Sequence, residues 1–241
     1  MHNTSIHDCY LHDIGNEGMY IGSSKYTGQD IYYCNDTTVL PHVLEGVKVY
    51  NNYLENIGWD GIQVSSAIND CEIYNNTIIH DSQAEEDFQM SGVLIGGGSN
   101  CDCYNNKIID GKGGGIEYLG LGSNRIFNNL ILRPGKDYHT DDPPLEYQKH
   151  GIWVGNVITD DNAMLYLVNN TIVEPRTFAI KLTNSSLVAS MVQNNLMLSP
   201  GAFFELGYEA FVRSSGAAIN YIESNNIKSN SADSMKFMDF S

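Results

Sequence analysis

A short pattern of apolar and polar residues recurs along the chain. Two apolar positions, an aromatic or polar residue and an Asn-Asn pair are followed by a second apolar pair, as in VKVYNNYLENIGWDGIQV (47–64). The second Asn of each pair stands at positions 52, 76, 106, 129, 170 and 195, giving steps of 24, 30, 23, 41 and 25 residues. Self-similarity of this period is the signature of a solenoid, and the longer steps indicate coils that carry an insertion.

Each unit contains three short segments, which are 47–50, 53–56 and 61–64 in the clearest copy. Segments of this length are too short for helices, and their alternation predicts strands. Parallel crossover connections are almost always right-handed. We therefore predict an all-β fold, a single-stranded right-handed parallel β-helix of about seven to eight coils with loop insertions. It forms one domain over residues 1–241, which we expect to be a segment of a longer protein.

The repeat also predicts which positions support the fold. Asn tolerates the left-handed backbone of a sharp corner, and stacked Asn side chains can pair as a ladder, so we assign the pairs to one corner. Cys71 and Cys101 fall in neighbouring coils, where we expect buried free thiols in preference to a disulfide. An outward aromatic column covers the coil edges and is interpreted as structural rather than as a sugar platform: Tyr50, Tyr74, Tyr104 and Phe127. The main inward columns are Val49, Ile73, Cys103, Ile126, Leu167 and Val192, and Leu54, Ile78, Ile108, Ile131, Ile172 and Met197.

Composition narrows the classes of partner. The chain has 13 Lys and Arg against 29 Asp and Glu, a net charge of −16, which argues against nucleic acid because Lys and Arg supply most of that affinity. No apolar run approaches the roughly 18 residues of a membrane span. The opening MHNTSIHDCY has no signal-peptide pattern. A surface rich in amides and hydroxyls suits a polysaccharide or oligosaccharide partner, and we expect an extracellular or cell-surface location.

Three stretches, NEGMYIG (16–22), WDGIQV (59–64) and GGGIEYLGLGSN (113–124), resemble right-handed parallel β-helix repeat proteins of the pectate lyase-like superfamily, in particular secreted bacterial members that act on carbohydrate. The resemblance covers about residues 3–228. It implies the fold of polysaccharide lyases, polygalacturonases and phage tailspikes. The Gly-His-Gly and Arg-x-Lys motifs of polygalacturonases are missing, since KHGIW (149–153) has only one of the two glycines. A shared fold does not by itself define a reaction.

Substrates of this fold lie along one sheet, so we looked for outward residues on the third segment. Period-two alternation in GIQV (61–64) predicts one outward column of Tyr20, Gln63, Leu94, Glu117, Trp153 and Lys181. The preceding corners add Glu17, Asp60, Lys149, His150 and Arg176. Three insertions border this face, 23–46, 82–91 and 134–149, and the last is a candidate lid over the substrate.

Four of these residues are candidate catalytic groups. Glu117 with Asp60 could hydrolyse a neutral glycan as acid and base. His150 or Lys181 could instead be the base of a lyase, with Arg176 or Ca²⁺ neutralising a uronate. Each also has a structural interpretation, as a solvated carboxylate or a hydrogen-bonded histidine. The predicted substrate-binding residues are Gln63, Trp153, Arg176, Glu17 and Tyr20.

No cofactor and no metal ligand is predicted, although Ca²⁺ is conceivable at acidic clusters, which are more often solvated loop tips. These clusters are Glu85-Glu86-Asp87, Asp141-Asp142 and Asp160-Asp161.

Two functions are compatible with these observations. The first is a carbohydrate-active protein that binds and cleaves a polysaccharide, as a glycoside hydrolase or polysaccharide lyase, along the outer face of one parallel sheet. The alternative is a non-catalytic glycan-binding or structural solenoid segment of a larger cell-surface protein. The missing catalytic motifs favour the alternative, whereas an outward column that combines Glu, Trp and Lys favours carbohydrate processing.

Overall fold

The computed structural model describes residues 2–31, 37–139, 149–155, 162–184, 188–201, 210–214 and 220–231. These residues form stacked coils of three short strands, and every pairing within the three long sheets is parallel. The first and second sheets each contain eight strands in the described residues and the third contains seven. The predicted parallel β-helix of about seven to eight coils is confirmed. None of the described segments is a helix long and apolar enough to cross a membrane.

The strand bounds follow the repeat. The first sheet consists of Ser5–His7, Lys48–Tyr50, Cys71–Tyr74, Cys101–Tyr104, Arg125–Phe127, Tyr166–Val168, Ser190–Gln193 and Tyr221–Ser224. The second consists of Tyr10–Ile14, Tyr53–Ile57, Thr77–Ile79, Lys107–Ile109, Leu130–Leu132, Thr171–Val173, Leu196–Leu198 and Ile227–Ser229. The third consists of Met19–Ile21, Ile62–Val64, Ser91–Ile95, Gly114–Tyr118, Ile152–Val154, Ile180–Leu182 and Val212–Ser214.

The apolar core runs along the axis of the solenoid. Both predicted inward columns pair in register from coil to coil, and their members are buried. The third sheet adds Ile62, Val93, Ile116, Ile152 and Ile180 from its inner face. Because every coil repeats the same inward positions, the core is continuous and its packing is set by the repeat.

The two Asn residues of each pair have different roles at the corner. The first has a left-handed backbone with φ between 53° and 56°, at 51, 75, 105, 128, 169, 194 and 225. The second is buried from Asn52 to Asn195, and its Nδ2 donates to Oδ1 of the next coil's Asn at 3.0–3.1 Å along the row that ends at Asn226. The predicted ladder is confirmed. Each rung also accepts a backbone N–H, so the buried amides are paired.

The cysteine prediction is wrong for one pair. Cys71 and Cys101 are joined in a disulfide, whereas we expected buried free thiols. They stand opposite each other in parallel register, with both side chains directed inward, and this places two thiols face to face. Cys103, two residues along, faces Ile73 instead and remains a buried free thiol.

The outward aromatic column of the first sheet is a continuous stack. Ring centroids of His7, Tyr50, Tyr74, Tyr104 and Phe127 follow one another at 4.7–5.0 Å with planes within 11° of parallel. Each inner ring therefore has both faces covered by its neighbours and turns only its edge outward. Such rings cannot form a sugar platform along the column, and this geometry fits the structural interpretation.

A column of glycines stands where the chain enters the third sheet. Gly18, Gly61, Gly92, Gly115 and Gly151 are in register, and each faces an aliphatic side chain of the second sheet. A Cβ atom at Gly115 would lie 2.5 Å from the carbonyl oxygen of Gly151 and 2.6 Å from Ile131 Cγ2. Only glycine leaves room for this close approach. The space that these glycines leave is filled by the core.

Candidate functional site

The outer face of the third sheet carries the predicted column. Backbone pairing places Tyr20, Gln63, Leu94, Glu117, Trp153 and Lys181 in one continuous register, and Arg213 extends it. We call this set the outer column. A second column on the same face is formed by the residue before each of these glycines and is extended by Phe178, which precedes Ala179 in the coil after His150. We call it the pre-glycine column: Glu17, Asp60, Ser91, Gly114, His150 and Phe178.

Much of the outer column is covered by protein. Gln63 is 2% exposed and Lys181 5% exposed, whereas Tyr20 is 46% exposed and Glu117 and Trp153 keep part of their surface. The predicted outward direction is confirmed, but it does not make every member accessible. Gln63 Oε1 has no hydrogen-bond partner among the described residues, which is unusual for a buried amide.

Ser91 joins the two carboxyl groups that we singled out as a catalytic pair. Its backbone N–H donates to Asp60 Oδ1 at 2.7 Å, and its hydroxyl Oγ donates to Glu117 Oε2 at 3.1 Å. Asp60 pairs with Ser91 in the neighbouring coil, and Glu117 belongs to the coil beyond. Gly114 stands between Ser91 and His150 in the pre-glycine column, so the column has no side chain in Glu117's own coil. The two carboxyls therefore flank a single serine.

Burial controls the protonation of this pair. Desolvation raises the pKa of Glu117 to about 7, while the hydrogen bond from Ser91 opposes the shift. Desolvation also raises the pKa of Asp60 well above its ordinary value, the negative charge of Glu117 adds to the shift, and the Ser91 N–H opposes it. Asp60 is fully buried, and its Oδ2 makes no hydrogen bond with any described residue. Desolvation thus favours the protonated form of Asp60, and Glu117 exchanges a proton near neutral pH.

A third buried carboxyl lies at the corner before this sheet. Asp81 accepts a hydrogen bond from Ser82 Oγ at 2.8 Å, and desolvation raises its pKa from 3.8 to about 7. Its negative charge contributes to the raised pKa of Asp60. Sequence analysis did not identify Asp81 or Ser91. This corner therefore concentrates acidic groups that fold stability alone would not select, because a buried carboxyl loses its hydration.

His150, Trp153 and Lys181 form an aromatic and cationic group farther along the same face. His150 is 1% exposed, hydrogen-bonds Thr177 Oγ1 through Nδ1 and has its ring centroid 6.2 Å from that of Trp153. The indole N–H of Trp153 donates to Thr183 Oγ1 at 2.9 Å. Lys181 Nζ lies 5.9 Å from the Trp153 ring centroid. The structure thus brings these predicted residues together, one and two coils beyond Glu117.

The corner insertions contact one another beside the sheet. Lys112 Nζ lies 2.8 Å from Glu85 Oε1, and His139 bonds the same carboxylate. Arg176 donates through Nη1 to the backbone oxygen of Tyr138 at 2.8 Å, and Lys149 Nζ lies 3.4 Å from the Tyr138 ring centroid. Arg176 therefore supports the start of the 134–149 insertion. The rest of the predicted lid, residues 140–148 of the 134–149 insertion, lies outside the described residues.

The remaining predicted contacts lie near the first coils. Glu17 stands beside Asp60 in the neighbouring coil, as expected, and contributes a smaller part of the raised Asp60 pKa. The hydroxyl of Tyr20 accepts the backbone N–H of Ser24 at 3.2 Å, so this ring helps to fix the first insertion. The insertion contains an antiparallel pair, Gln29–Ile31 with Thr37–Val39.

The structure describes only one of the three acidic clusters that were candidate Ca²⁺ sites. Glu85 is engaged with Lys112 and His139, while Asp141-Asp142 and Asp160-Asp161 lie outside the described residues. In the part of the chain that the structure describes, no three His, Cys, Asp or Glu side chains are grouped so that they could hold a metal ion.

Comparison with protein families gives the identity of this architecture. The family model for the right-handed β-helix region matches residues 1–131 and 42–231. The chain belongs to the right-handed β-helix family. Neither the curated proteins nor the solved structures contain a significant match. Membership in this right-handed β-helix family establishes the solenoid and its handedness, and the function has to be argued from the site itself.

A sequence signal for the missed residues exists. Each central strand of the third sheet has, within one residue of its start, a glycine followed by an aliphatic residue, at 61–62, 92–93, 115–116 and 151–152. The residue before each glycine forms the pre-glycine column, so aligning these pairs identifies Ser91 as the neighbour of Asp60. We aligned the Asn pairs instead, and the 82–91 insertion concealed this second register.

Proposed function

We propose that this β-helix protein binds a polysaccharide along the outer face of the third sheet and cleaves it, with Glu117 as the residue that exchanges a proton with the substrate. The observation that carries the proposal is the carboxyl pair flanking Ser91. A group that titrates near neutral pH is suited to general acid–base catalysis. Glu117 also keeps part of its surface exposed, as contact with a substrate requires.

Asp60 receives a different role from the one that sequence analysis gave it. Because its side chain is fully buried, it cannot touch a glycan, and we assign it a positioning role behind Glu117. Protonation of Asp60, which desolvation favours, lessens its repulsion of ionised Glu117.

The neighbouring group supplies candidate sugar contacts. Trp153 pairs with Glu117 in register, and a partly exposed indole can stack on the apolar face of a sugar. Adjacent coils are about 4.8 Å apart, so the distance from one coil to the next is close to the length of one sugar unit. A chain lying along the axis would then meet Glu117 and Trp153 with the same or successive units. From this geometry we infer a polysaccharide partner on this face, and from the partner an extracellular location for the protein.

A second candidate function has its own supporting observation. Gln63 and Lys181 are almost fully covered, and a face with so few accessible polar groups also suits a solenoid that binds glycan without cleaving it or serves as a structural segment. The two functions differ in one respect, because only the first requires Glu117.

The test is turnover of a glycan panel. The purified protein is incubated with neutral and uronate-containing polysaccharides, and products are read as reducing ends and as the ultraviolet absorbance of unsaturated lyase products. Glu117→Gln should lower any rate by about 10²–10⁴-fold. The matched control is Glu55→Gln, a carboxylate of the second sheet that accepts the Tyr10 hydroxyl, and it should retain full activity.

Full activity in Glu117→Gln would reject the proposed site. Absence of turnover on every polysaccharide, together with binding that Trp153→Ala weakens, would favour the non-catalytic function.

A further inference from the structure

The aromatic stack of the first sheet stops although its backbone register continues. Phe127 is the last ring, and the residue in register with it in the next coil is Val168. Gln193 and Ser224 follow in the same column. The column thus changes from a large flat side chain to a short branched one in a single step.

This step forms a notch of about 210 Å³ on the surface of the first sheet. Its lining consists of Arg125, Phe127, Tyr166, Val168 and Asn169. Rings in the stack are 4.7–5.0 Å apart, which is the spacing of adjacent coils, so the next ring of the series would lie above Val168. The notch is smaller than the pockets of about 300–1,000 Å³ that hold drug-sized ligands. The notch therefore occupies the place where one further ring of the stack would stand.

The lining combines apolar faces with polar groups at its edge. Phe127 and Val168 supply the apolar surfaces, whereas Tyr166 and Asn169 are exposed and carry a hydroxyl and an amide. A pyranose has the matching distribution, with C–H groups on its faces and hydroxyls around its periphery. A planar aromatic ligand would stack equally well but would leave the polar edge unused.

Arg125 is held in place before any ligand arrives. Its guanidinium donates twice to Asp102 Oδ2, at 3.0 and 2.6 Å, and its backbone N–H donates to Asp102 Oδ1 at 2.7 Å. Its Cζ lies 5.5 Å from the Phe127 ring centroid. A wall that is already ordered loses little conformational entropy on binding.

A second depression adjoins the notch and shares Arg125 with it. It encloses about 360 Å³, and its lining is mainly polar, with Asp70, Glu72, Asn100, Asp102, Asn124 and Arg125 among its residues. A sugar unit linked to one in the notch would meet amide and carboxylate groups there. The pair of depressions therefore suits a short glycan better than an isolated ring.

We propose that this notch, which we call the ring notch, binds one pyranose unit of a glycan stacked on Phe127. It is a second carbohydrate contact, on a different sheet from Glu117. It does not depend on any catalytic activity of the third sheet.

The experiment is an amide NMR titration of the full chain with methyl glucoside, methyl galactoside and methyl mannoside. At least one should shift the amide signals of Phe127, Val168 and Asn169, with a dissociation constant in the millimolar range expected for one ring. Val168→Phe fills the ring notch with a further ring and should weaken this binding by about tenfold or more. Its matched control is Val173→Phe, an outward residue of the second sheet in the same coil, which should bind like the parent.

Further variants keep the result interpretable. Tyr166→Ala removes part of the polar edge without filling the ring notch and should also weaken glycoside binding. It replaces Val168→Phe in the test if thermal unfolding shows that Val168→Phe is not folded. Glu117→Gln should bind in the ring notch as the parent does, whether or not the third sheet is catalytic. The proposal is overturned if no glycoside shifts these amides, if Val168→Phe binds normally while folded, or if only p-cresol, an aromatic probe, produces the shifts.

Discussion

The Asn corner and the outer face of the third sheet treat buried polar groups in opposite ways. At the corner every buried Asn from Asn52 to Asn195 donates a side-chain hydrogen bond to the Asn of the next coil. From Asn76 onward, each also accepts one from the Asn of the preceding coil. On the third sheet Asp60 Oδ2 and Gln63 Oε1 are buried without a partner among the described residues, and two carboxyls are held in a desolvated site. The corner is explained by folding. Polar groups that folding does not explain are candidates for function, since active sites commonly lower stability.

The largest expected effect is on the core that both regions share. Ile108→Asp places a charge in a column that is buried on every side, and an unpaired buried charge costs several kcal/mol against a total stability of about 5–15 kcal/mol. The domain should lose its cooperative unfolding transition in circular dichroism. Ile109→Asp is the matched control, because the next residue of the same strand faces outward, and it should fold.

A smaller but clear loss is expected at the corner. Asn106→Ala removes the acceptor of the Asn76 backbone N–H and side-chain amide and the donor to Asn129. Each buried polar group left unpaired costs about 1–3 kcal/mol, so the free energy of unfolding should fall by roughly 3 kcal/mol or more in urea titration. Asn105→Gly retains the left-handed backbone and should stay close to the parent. Equal losses in both variants would contradict the separate roles of the two Asn residues.

Asp81→Asn at the acidic corner should stabilise the fold at high pH, whereas Asn106→Ala should destabilise it. The pKa of Asp81 is raised from 3.8 to about 7 in the folded protein, so the unfolded chain releases this proton first as pH rises. Its contribution to stability is therefore present at low pH, declines between about pH 4 and pH 7 and is lost above pH 7. Asp81→Asn cannot ionise and should raise the melting temperature at pH 8 more than at pH 4. An equal change in melting temperature at the two pH values would contradict the raised pKa.

Sequence analysis was sufficient where one residue type marks every coil. The Asn pairs and aliphatic positions define the register, and the same register correctly aligned Tyr20, Gln63, Glu117, Trp153 and Lys181, because a parallel solenoid repeats the alternation of one strand in the next. It could not predict that Gln63 and Lys181 are covered, since coverage depends on surrounding segments that follow no repeat.

The contacts that define the site were also beyond the pattern. Ser91 belongs to a coil whose 82–91 insertion hides the register, so its link between Asp60 and Glu117 was missed. The Cys71–Cys101 disulfide was judged wrongly, although the stacking of the two residues was correct, because spacing alone does not determine whether two adjacent thiols are oxidised.

Thermal unfolding of Glu117→Gln at pH 8 tests most directly whether the carboxyl pair of the third sheet serves chemistry rather than stability. Gln keeps an oxygen that can accept the Ser91 hydroxyl and removes the desolvated charge, because a carboxyl with a pKa of about 7 is mostly ionised at this pH. The melting temperature should equal or exceed that of the parent. A fall comparable to that of Asn106→Ala would show that Glu117 supports the fold, and it would contradict the assignment of this face as the functional site.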